Sequence, residues 1–163
     1  MAESESQVVL RRIVCGGQTG VDRGALDAAI ELGLEHGGWC PSGRRAEDGS
    51  IPLHYELSET ASSRYPVRTR QNVLESDATL LFYCDHLHSG TELTFRLVKQ
   101  FAKPFLLVDL KALLDPAMVL TWIIGEQVET LNVAGPRESS APGIARQTLE
   151  FLTLCLSSSS ETS

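Results

Sequence analysis

The sequence predicts one α/β domain with a doubly wound, mostly parallel sheet flanked by helices. Short apolar segments alternate with amphipathic segments of helical periodicity, which is typical of repeated strand and helix units. Several apolar segments are almost unbroken, as strands covered on both faces require. A chain of 163 residues, 42% of them hydrophobic, is long enough for one well-buried core and short for two.

The predicted strands are short and rich in aliphatic side chains. The first covers residues 12–15, with residues 8–10 leading into it, because this stretch is apolar and partly β-branched. Three later strands, which we expect to be central in the sheet, are predicted at residues 79–84, 105–109 and 131–134.

The helices are predicted from apolar side chains that recur every three or four residues. The first covers residues 22–32, and Gly33 is placed to end it in a left-handed conformation. The others are predicted at residues 68–76, 91–101, 116–124 and 142–156.

Residues 36–65 do not follow this alternation. They are rich in glycine, proline and charge, with weak strand signals near Trp39 and Tyr55. Long irregular segments in compact domains are usually functional or mobile, so we expect a loop beside the ligand site. Residues 1–7 and 157–163 are polar and are expected to be disordered, which leaves a folded domain at residues 8–156.

The charge and cysteine patterns exclude several classes of protein. A net charge of -7 and a pI near 5.1 argue against a general nucleic-acid or membrane surface, and no leader or spanning segment is predicted. The four cysteines form no CxxC pair, so they indicate reduced thiols rather than a disulfide framework or a zinc ribbon. We therefore expect a cytoplasmic protein.

A glycine-rich turn joins the first strand to the first helix in the sequence VCGGQTGVDR. Glycines at this position let backbone N–H groups and a helix N-terminus approach an anion such as a phosphate. The sequence matches neither GxGxxG nor the P-loop pattern, so a plain tight turn is the alternative.

Two further loops are expected at the same edge of the sheet. Ser89, Gly90 and Thr91 repeat the plan of a small-residue turn that opens a helix, although Ser89 also fits a simple N-cap. After the last strand, Asn132 interrupts an apolar run and Arg137 follows a Gly-Pro turn. Arginine suits phosphate or carboxylate, and a surface ion pair with an acid is the alternative.

These segments together resemble the molybdenum cofactor carrier family, in order and spacing, over about residues 12–151. The resemblance rests on GGQTGVDRGALD, HGGWCPSGRRAEDGSIP, RTRQNVLESDATLLF, SGTELT and LNVAGPRES. That family belongs to a wider Rossmann-like group that also includes lysine-decarboxylase-like phosphoribohydrolases.

The resemblance implies a Rossmann-like domain that forms a homo-oligomer, a dimer or a tetramer. It also implies binding, storage or transfer of the molybdenum cofactor, with molybdoenzymes as possible recipients. The acidic charge and the lack of a long apolar run separately predict no nucleic acid and no membrane as partner. We expect the ligand-binding residues to be Gly16, Gly17, Gln18, Thr19, Gly20, Arg23, Ser89, Gly90, Thr91, Asn132 and Arg137. The sequence departs from the family at Ser89, where a second glycine is usual, and at Arg70, where an acid is usual.

The resemblance favours a carrier over an enzyme. The related hydrolases place a glutamate three residues after the loop threonine, and here that position is Thr94. The alternatives are a nucleotide-binding enzyme of the phosphoribohydrolase type, with Asp22 or Glu92 as its base, and a nucleotide sensor.

A metal site is the remaining alternative. Cys84, His86 and His88 alternate at the end of a strand, and a thiol with imidazoles could bind zinc or copper. Because these residues leave the apolar run and approach a turn, exposed histidines are favoured over a metal site. Without a fourth ligand the sequence predicts no structural metal.

Overall fold

The computed structural model describes residues 10–157 apart from residues 86, 88, 113 and 114. Five strands form the central sheet: β1 (Arg12–Val14), β2 (Glu35–Gly37), β7 (Ala78–Tyr83), β8 (Phe105–Asp109) and β9 (Thr130–Ala134). Two small two-stranded sheets are made by β3 (Trp39–Cys40) with β6 (Ser58–Glu59) and by β4 (Arg45–Ala46) with β5 (Gly49–Ser50). The helices are α1 (Val21–Leu32), α2 (Tyr65–Leu74), α3 (Ser89–Gln100), α4 (Ala117–Gly125) and α5 (Ile144–Ser157).

The central sheet has the strand order β2-β1-β9-β7-β8, and every neighbouring pair is parallel. The last strand in the chain therefore lies between β1 and β7, with Asn132 paired to Val14 on one side and to Thr79 on the other. The carboxyl ends of β1, β7 and β9 meet at one edge. The predicted Rossmann-like α/β fold is confirmed.

Successive side chains of a strand point to opposite faces of the sheet, and helices cover both faces. Leu80 and Phe82 of β7 point into a core shared with α1, α4 and α5. Leu81 points the other way, into a second core with side chains of α2 and α3. Gly24 allows α1 and α5 to approach closely, since a Cβ there would lie 2.9 Å from the Cβ of Thr148.

Two expectations about the sheet are wrong. The stretch predicted as an irregular loop contains most of β2, which is an edge strand of the central sheet, and its three residues are too few to give an alternating pattern. The apolar run of β8 forms the opposite edge rather than a central strand. Leu107 on β8 is 37% exposed, so an unbroken apolar run reports strand formation better than strand position.

The predicted helix bounds differ from the observed ones by up to three residues. The largest difference is in α2, which begins at Tyr65 rather than at residue 68, with a proline in its first turn. Gly33 ends α1 with φ 75°, as predicted. Helix α5 ends at Ser157, while residues 1–7 and 158–163 of the predicted termini lie outside the described residues.

Arg44 organises the long segment between β3 and β6. Its guanidinium group donates hydrogen bonds to four backbone carbonyls, those of Ile51 at 3.3 Å, Pro52 at 2.9 Å, Tyr55 at 2.8 Å and Leu57 at 3.5 Å. One partly buried cation thus pairs backbone carbonyls in a segment whose regular secondary structure is limited to the short strands β4 and β5. Throughout the part of the chain that the structure describes, no helix is both long enough and apolar enough to cross a membrane.

Candidate functional site

A cavity of about 460 Å³ opens at the edge where β1, β7 and β9 end, which is the usual ligand position in open α/β sheets. Three loops and helix α2 surround it. It is lined by Gln18, Asp22, Tyr65, Arg68, Thr69, Gly90, Thr91, Thr94, Ala134, Gly135, Pro136, Arg137 and Ser140. Among the predicted ligand-binding residues, Gln18, Gly90, Thr91 and Arg137 therefore lie together.

The first turn of α3 provides one wall of this cavity. It contains Gly90 and Thr91, and Thr94 lies one turn further along the same helix. The Thr94 hydroxyl donates to the Gly90 carbonyl at 3.4 Å, so the side chain is turned back along the helix. The N–H groups of a first turn lack intrahelical acceptors and the helix dipole is positive there, so this wall favours an anion.

The glycines of the first loop make room for the protein's own groups. A Cβ at Gly16 would lie 2.6 Å from the guanidinium carbon of Arg68, and one at Gly17 would meet Leu57 and Ile51. A Cβ at Gly20 would lie 2.6 Å from the backbone nitrogen of Glu138. These glycines leave space for neighbouring protein atoms and do not themselves line the cavity.

Asp22 is buried at the head of α1 and faces the cavity. Its carboxylate accepts a hydrogen bond from the backbone N–H of Gln18 at 3.1 Å and lies 3.8 Å from Arg68 Nη1. Burial raises the pKa of Asp22 to about 6, although Arg68 and the N–H groups of the glycine loop favour the ionised form. The Asp22 carboxylate thus accepts hydrogen bonds from N–H groups of the glycine loop, which the sequence analysis expected to bind an anionic ligand.

Helix α2 brings an unpredicted set of side chains to the site. Tyr65, Arg68 and Thr69 share one helical face and all line the cavity. The Arg68 guanidinium lies 5.6 Å from the centre of the Tyr65 ring, a cation–π arrangement. The (i, i+3, i+4) spacing of these residues indicates a shared helical face in the sequence itself. The helix was predicted to begin at Arg68, so Tyr65 was left outside it.

Two other predicted site residues, Arg23 and Asn132, have partners outside the cavity. Arg23 pairs with both carboxylate oxygens of Asp48, at 2.5 and 2.9 Å, and donates to the Gly17 carbonyl at 3.2 Å. Asn132 is buried in β9 and donates to the Thr79 hydroxyl at 3.2 Å. Neither residue lines the cavity, and Ser89 is the first residue of α3.

Glu47 ties the β4–β5 hairpin to two loops of the site. Its carboxylate accepts hydrogen bonds from the Thr19 hydroxyl, from the Ser139 hydroxyl at 2.5 Å and from the Ser139 N–H at 3.2 Å. Arg137 Nη1 lies 3.8 Å from the same carboxylate. The hydroxyl bonds from Ser139 and Thr19 lower the pKa of Glu47.

We expect Glu47→Gln to lower the free energy of unfolding by about 1–2 kcal/mol at pH 7, since the charge-assisted bonds to Thr19 and Ser139 are weakened. Because the folded-state pKa is lowered, this stabilisation is complete above the ordinary value of 4.5 and is lost as the pH falls through the folded-state pKa. Urea unfolding at pH 7 and at pH 3 tests this. Glu150→Gln, which removes an exposed pair with Arg146, is the control. Equal effects of the two substitutions at pH 7 would contradict the role of Glu47.

The proposed metal ligands cannot be assembled from the described residues. These residues contain no group of three or more histidine, cysteine, aspartate or glutamate side chains placed to hold a metal ion. Cys84 is half-buried, and His86 and His88 lie outside the described residues. Cys15, Cys40 and Cys155 are buried, and burial raises the pKa values of their thiols.

Comparisons with known proteins cover nearly the whole domain. Residues 13–156 match the circularly permutated YpsA SLOG family. A solved structure described as "Putative molybdenum carrier protein" from Syntrophus aciditrophicus SB is similar to this chain, with 39% sequence identity and a TM-score of 0.88. The similarity covers 91% of this chain and 96% of that one. No curated protein matches the chain. On this evidence the chain belongs to the circularly permutated YpsA SLOG family.

Proposed function

We propose that this protein binds a phosphorylated, anionic small molecule in the cavity, with the molybdenum cofactor as the first candidate ligand. The observation that carries the proposal is that the first turn of α3 and Arg137 both line the cavity. A helix N-terminus and a guanidinium group are both suited to phosphate. The cavity volume of about 460 Å³ lies within the usual range for small-molecule sites.

The phosphate is assigned to the α3 side of the cavity rather than to the glycine loop. The Gln18 N–H already donates to the Asp22 carboxylate, and the Val21 N–H donates to the Pro136 carbonyl at 3.1 Å. A second negative charge beside Asp22 would be repelled. Arg137 is half-exposed, so its guanidinium group can leave Glu47 for a stronger, bidentate anion.

The molybdenum cofactor fits such a site because it is a pterin that carries a phosphate and a metal-chelating dithiolene. The relative from Syntrophus aciditrophicus is named as a molybdenum carrier, which supports this choice of ligand. In this proposal the protein stores the cofactor or transfers it, with molybdoenzymes as the recipients.

Native mass spectrometry tests the proposed ligand directly. The protein is purified from a host that makes the molybdenum cofactor and from a matched host that cannot. We expect a mass increment equal to the cofactor in the first preparation alone. Identical spectra, or a nucleotide adduct in both preparations, would contradict the cofactor and favour a nucleotide ligand.

Replacing Arg137 tests the phosphate side of the cavity. We expect Arg137→Gln to weaken binding of the phosphorylated ligand at least about tenfold, because a charge-assisted contact to its phosphate is lost. Arg146→Gln is the matched control, since Arg146 lies on α5 and pairs with Glu150 away from the cavity. Binding measured by titration calorimetry should be unchanged in the control. Equal affinity in both variants would contradict the assignment of Arg137.

A second candidate function is a nucleotide-processing enzyme, and the position of Asp22 favours it. A buried carboxyl whose pKa is about 6 faces the cavity and can exchange a proton near neutral pH. Glu92, the other candidate base, does not line the cavity. Release of base or phosphate from a panel of nucleotides, lost in Asp22→Asn, would establish this function over the carrier.

We also propose that the protein is a homo-oligomer in the cytoplasm. Apolar side chains are exposed on three helices: Ile30 on α1 by 46%, Met118 on α4 by 47% and Leu154 on α5 by 61%. Such side chains are suited to contacts between copies of the chain. The same native mass spectra report the oligomeric state, and a monomer at micromolar concentration would contradict this proposal.

A further inference from the structure

The β4–β5 hairpin contacts the elements that form the cavity, although none of its own residues lines it. The carbonyl of Arg45 accepts a hydrogen bond from Gln18 Nε2 at 2.9 Å, and the Arg45 guanidinium lies 5.4 Å from the centre of the Tyr65 ring. Gln18 and Tyr65 both line the cavity. The exposed turn of the hairpin carries two neighbouring acids, Glu47 and Asp48. Their carboxylates contact the glycine loop, helix α1 and the loop after β9.

Glu47 is held in place independently of Arg137. Its carboxylate accepts hydrogen bonds from the Thr19 hydroxyl, from the Ser139 hydroxyl at 2.5 Å and from the Ser139 N–H at 3.2 Å. The hydroxyl bonds from Ser139 and Thr19 lower the pKa of Glu47, so the group is ionised at neutral pH. The carboxylate therefore remains in position, and remains charged, when Arg137 moves.

Arg137 is shared between this carboxylate and the cavity. It lines the cavity, and its Nη1 lies 3.8 Å from Glu47 Oε1, a separation that makes an ion pair but is too long for a hydrogen bond. The Arg137 side chain is 53% exposed, and ion pairs of exposed groups contribute little to stability. The pair is thus weak enough for a phosphate to replace it.

We propose, on the basis of the function proposed above, that Glu47 competes with the phosphate of the ligand for Arg137 and so lowers the affinity of the cavity for anions. Without ligand, the guanidinium group pairs with Glu47. A ligand binds only to molecules in which Arg137 has left this pair, so the apparent affinity falls with the fraction of such molecules. The hairpin is in this sense an autoinhibitory element, and Glu47 is its acting group.

Competition of this kind couples the hairpin to the ligand in both directions. A bound phosphate removes Arg137 from Glu47, so the hairpin loses one of its contacts while the ligand is present. Any contact that draws Glu47 away from Arg137 tightens ligand binding by the same factor. Occupancy of the cavity therefore changes how firmly an exposed turn of the protein is held.

The test measures dissociation constants by titration calorimetry on the full chain at pH 7.5 and about 0.15 M salt. The probes are inorganic phosphate, GMP and 6-hydroxymethylpterin monophosphate, which share a phosphate group and differ in everything else. We expect Glu47→Gln to bind each probe about three- to fivefold more tightly than the wild type, which is the range of an exposed ion pair. A merely structural role predicts the opposite, since the variant is less stable and its binding would be weaker or unchanged.

Asp48→Asn is the matched control for the loss of charge. It removes the same charge from the neighbouring residue of the same turn, but Asp48 pairs with Arg23, which does not line the cavity. Its affinities should lie within about 1.5-fold of the wild type, because long-range repulsion is largely screened at this salt concentration. Glu150→Gln on α5 is a second control that leaves the hairpin untouched.

The double variant of Glu47→Gln with Arg137→Gln isolates the competition. When Arg137 is absent there is nothing to compete for, so Glu47→Gln should change the affinities of Arg137→Gln by less than about 1.5-fold. Equal tightening by Glu47→Gln in both backgrounds would overturn the competition and indicate general repulsion of anions. Equal tightening by Glu47→Gln and Asp48→Asn would overturn it in the same way.

The outcomes distinguish this inference from the function on which it rests. If Arg137→Gln weakens the probes but Glu47→Gln does not tighten them, the competition is wrong and the phosphate site stands. If no probe binds to the wild type or to Glu47→Gln, or if Arg137→Gln weakens none of them, both are wrong. Thermal unfolding of each variant confirms that it is folded. Glutamine preserves the size of Glu47, and its amide oxygen can accept the bonds from Thr19 and Ser139.

Discussion

Gly20→Ala is expected to lower the free energy of unfolding by roughly 3 kcal/mol or more, because two costs combine at this residue. Gly20 has φ 83° and ψ -129°, a conformation that side chains strongly disfavour. The added Cβ would also lie 2.6 Å from the backbone nitrogen of Glu138 and 2.7 Å from the carbonyl carbon of Arg137. These atoms belong to the backbone of the loop after β9. The hydrogen bond from the Val21 N–H to the Pro136 carbonyl holds this loop in place, so displacing it would itself cost stability.

Gly33→Ala is the matched control for this substitution. Gly33 also has a positive φ, 75°, but an added Cβ there meets no described atom within 4 Å. It should therefore cost only about 1 kcal/mol, which is the conformational term alone. Urea unfolding monitored by circular dichroism compares the two variants. Equal losses of stability would show that the loop after β9 can retreat, contrary to the packing described here.

Asp22→Asn is expected to stabilise the fold by about 3 kcal/mol at pH 7.5, because asparagine resembles the neutral form of the acid and still accepts the Gln18 N–H. The raised pKa of about 6, compared with the ordinary 3.8, means that ionising Asp22 costs the folded state free energy. Arg68 is equally unpaired in the variant and in the protonated protein, so its contribution cancels in this comparison.

The sign of the pH dependence follows from the raised pKa. Between pH 3.8 and 6 the folded state binds more protons at Asp22 than the unfolded state does, so the wild-type protein loses stability as the pH rises through this range. The variant has no such loss. Urea unfolding from pH 4 to pH 8 should give a gap below about 1 kcal/mol at pH 4 and a gap that reaches its full size above pH 6. A gap that is constant across this range would refute the raised pKa.

This gain in stability indicates why Asp22 is better explained by function than by folding. Buried charges that cost stability are concentrated at binding and catalytic sites. If Asp22→Asn is more stable yet loses the release of base or phosphate from nucleotides, the carboxylate is present for function. The two measurements together decide this without knowledge of the natural ligand.

The elements of the fold were largely predictable from the sequence because their signals are local. Apolar runs gave β7, β8 and β9, and helical periodicity gave all five helices, with ends displaced by up to three residues. The position of a strand in the sheet is not a local property. This is why β8 was expected to be central and β2, with three residues, was missed.

The candidate site was predicted at the correct edge of the sheet but only partly with the correct residues. A glycine in a sequence indicates that a Cβ is absent and does not say which group uses the space. At Gly16 that group is Arg68, which is distant in sequence, and at Gly20 it is the loop after β9. Asn132 was singled out as a polar residue in an apolar strand, and a single sequence does not reveal that Thr79 on β7 accepts its hydrogen bond.

The central position of β9 has a consequence for how the protein folds during synthesis. Before residues 130–134 leave the ribosome, β1 can pair only with β2 and β7 only with β8, so the nascent chain holds two half-sheets with open edges. Joining them requires contacts between residues more than 50 positions apart, such as Thr79 with Asn132, and such long-range pairing is slow. Since the cavity draws its lining from both half-sheets and from the loop that follows β9, no ligand can be captured until that strand is in place.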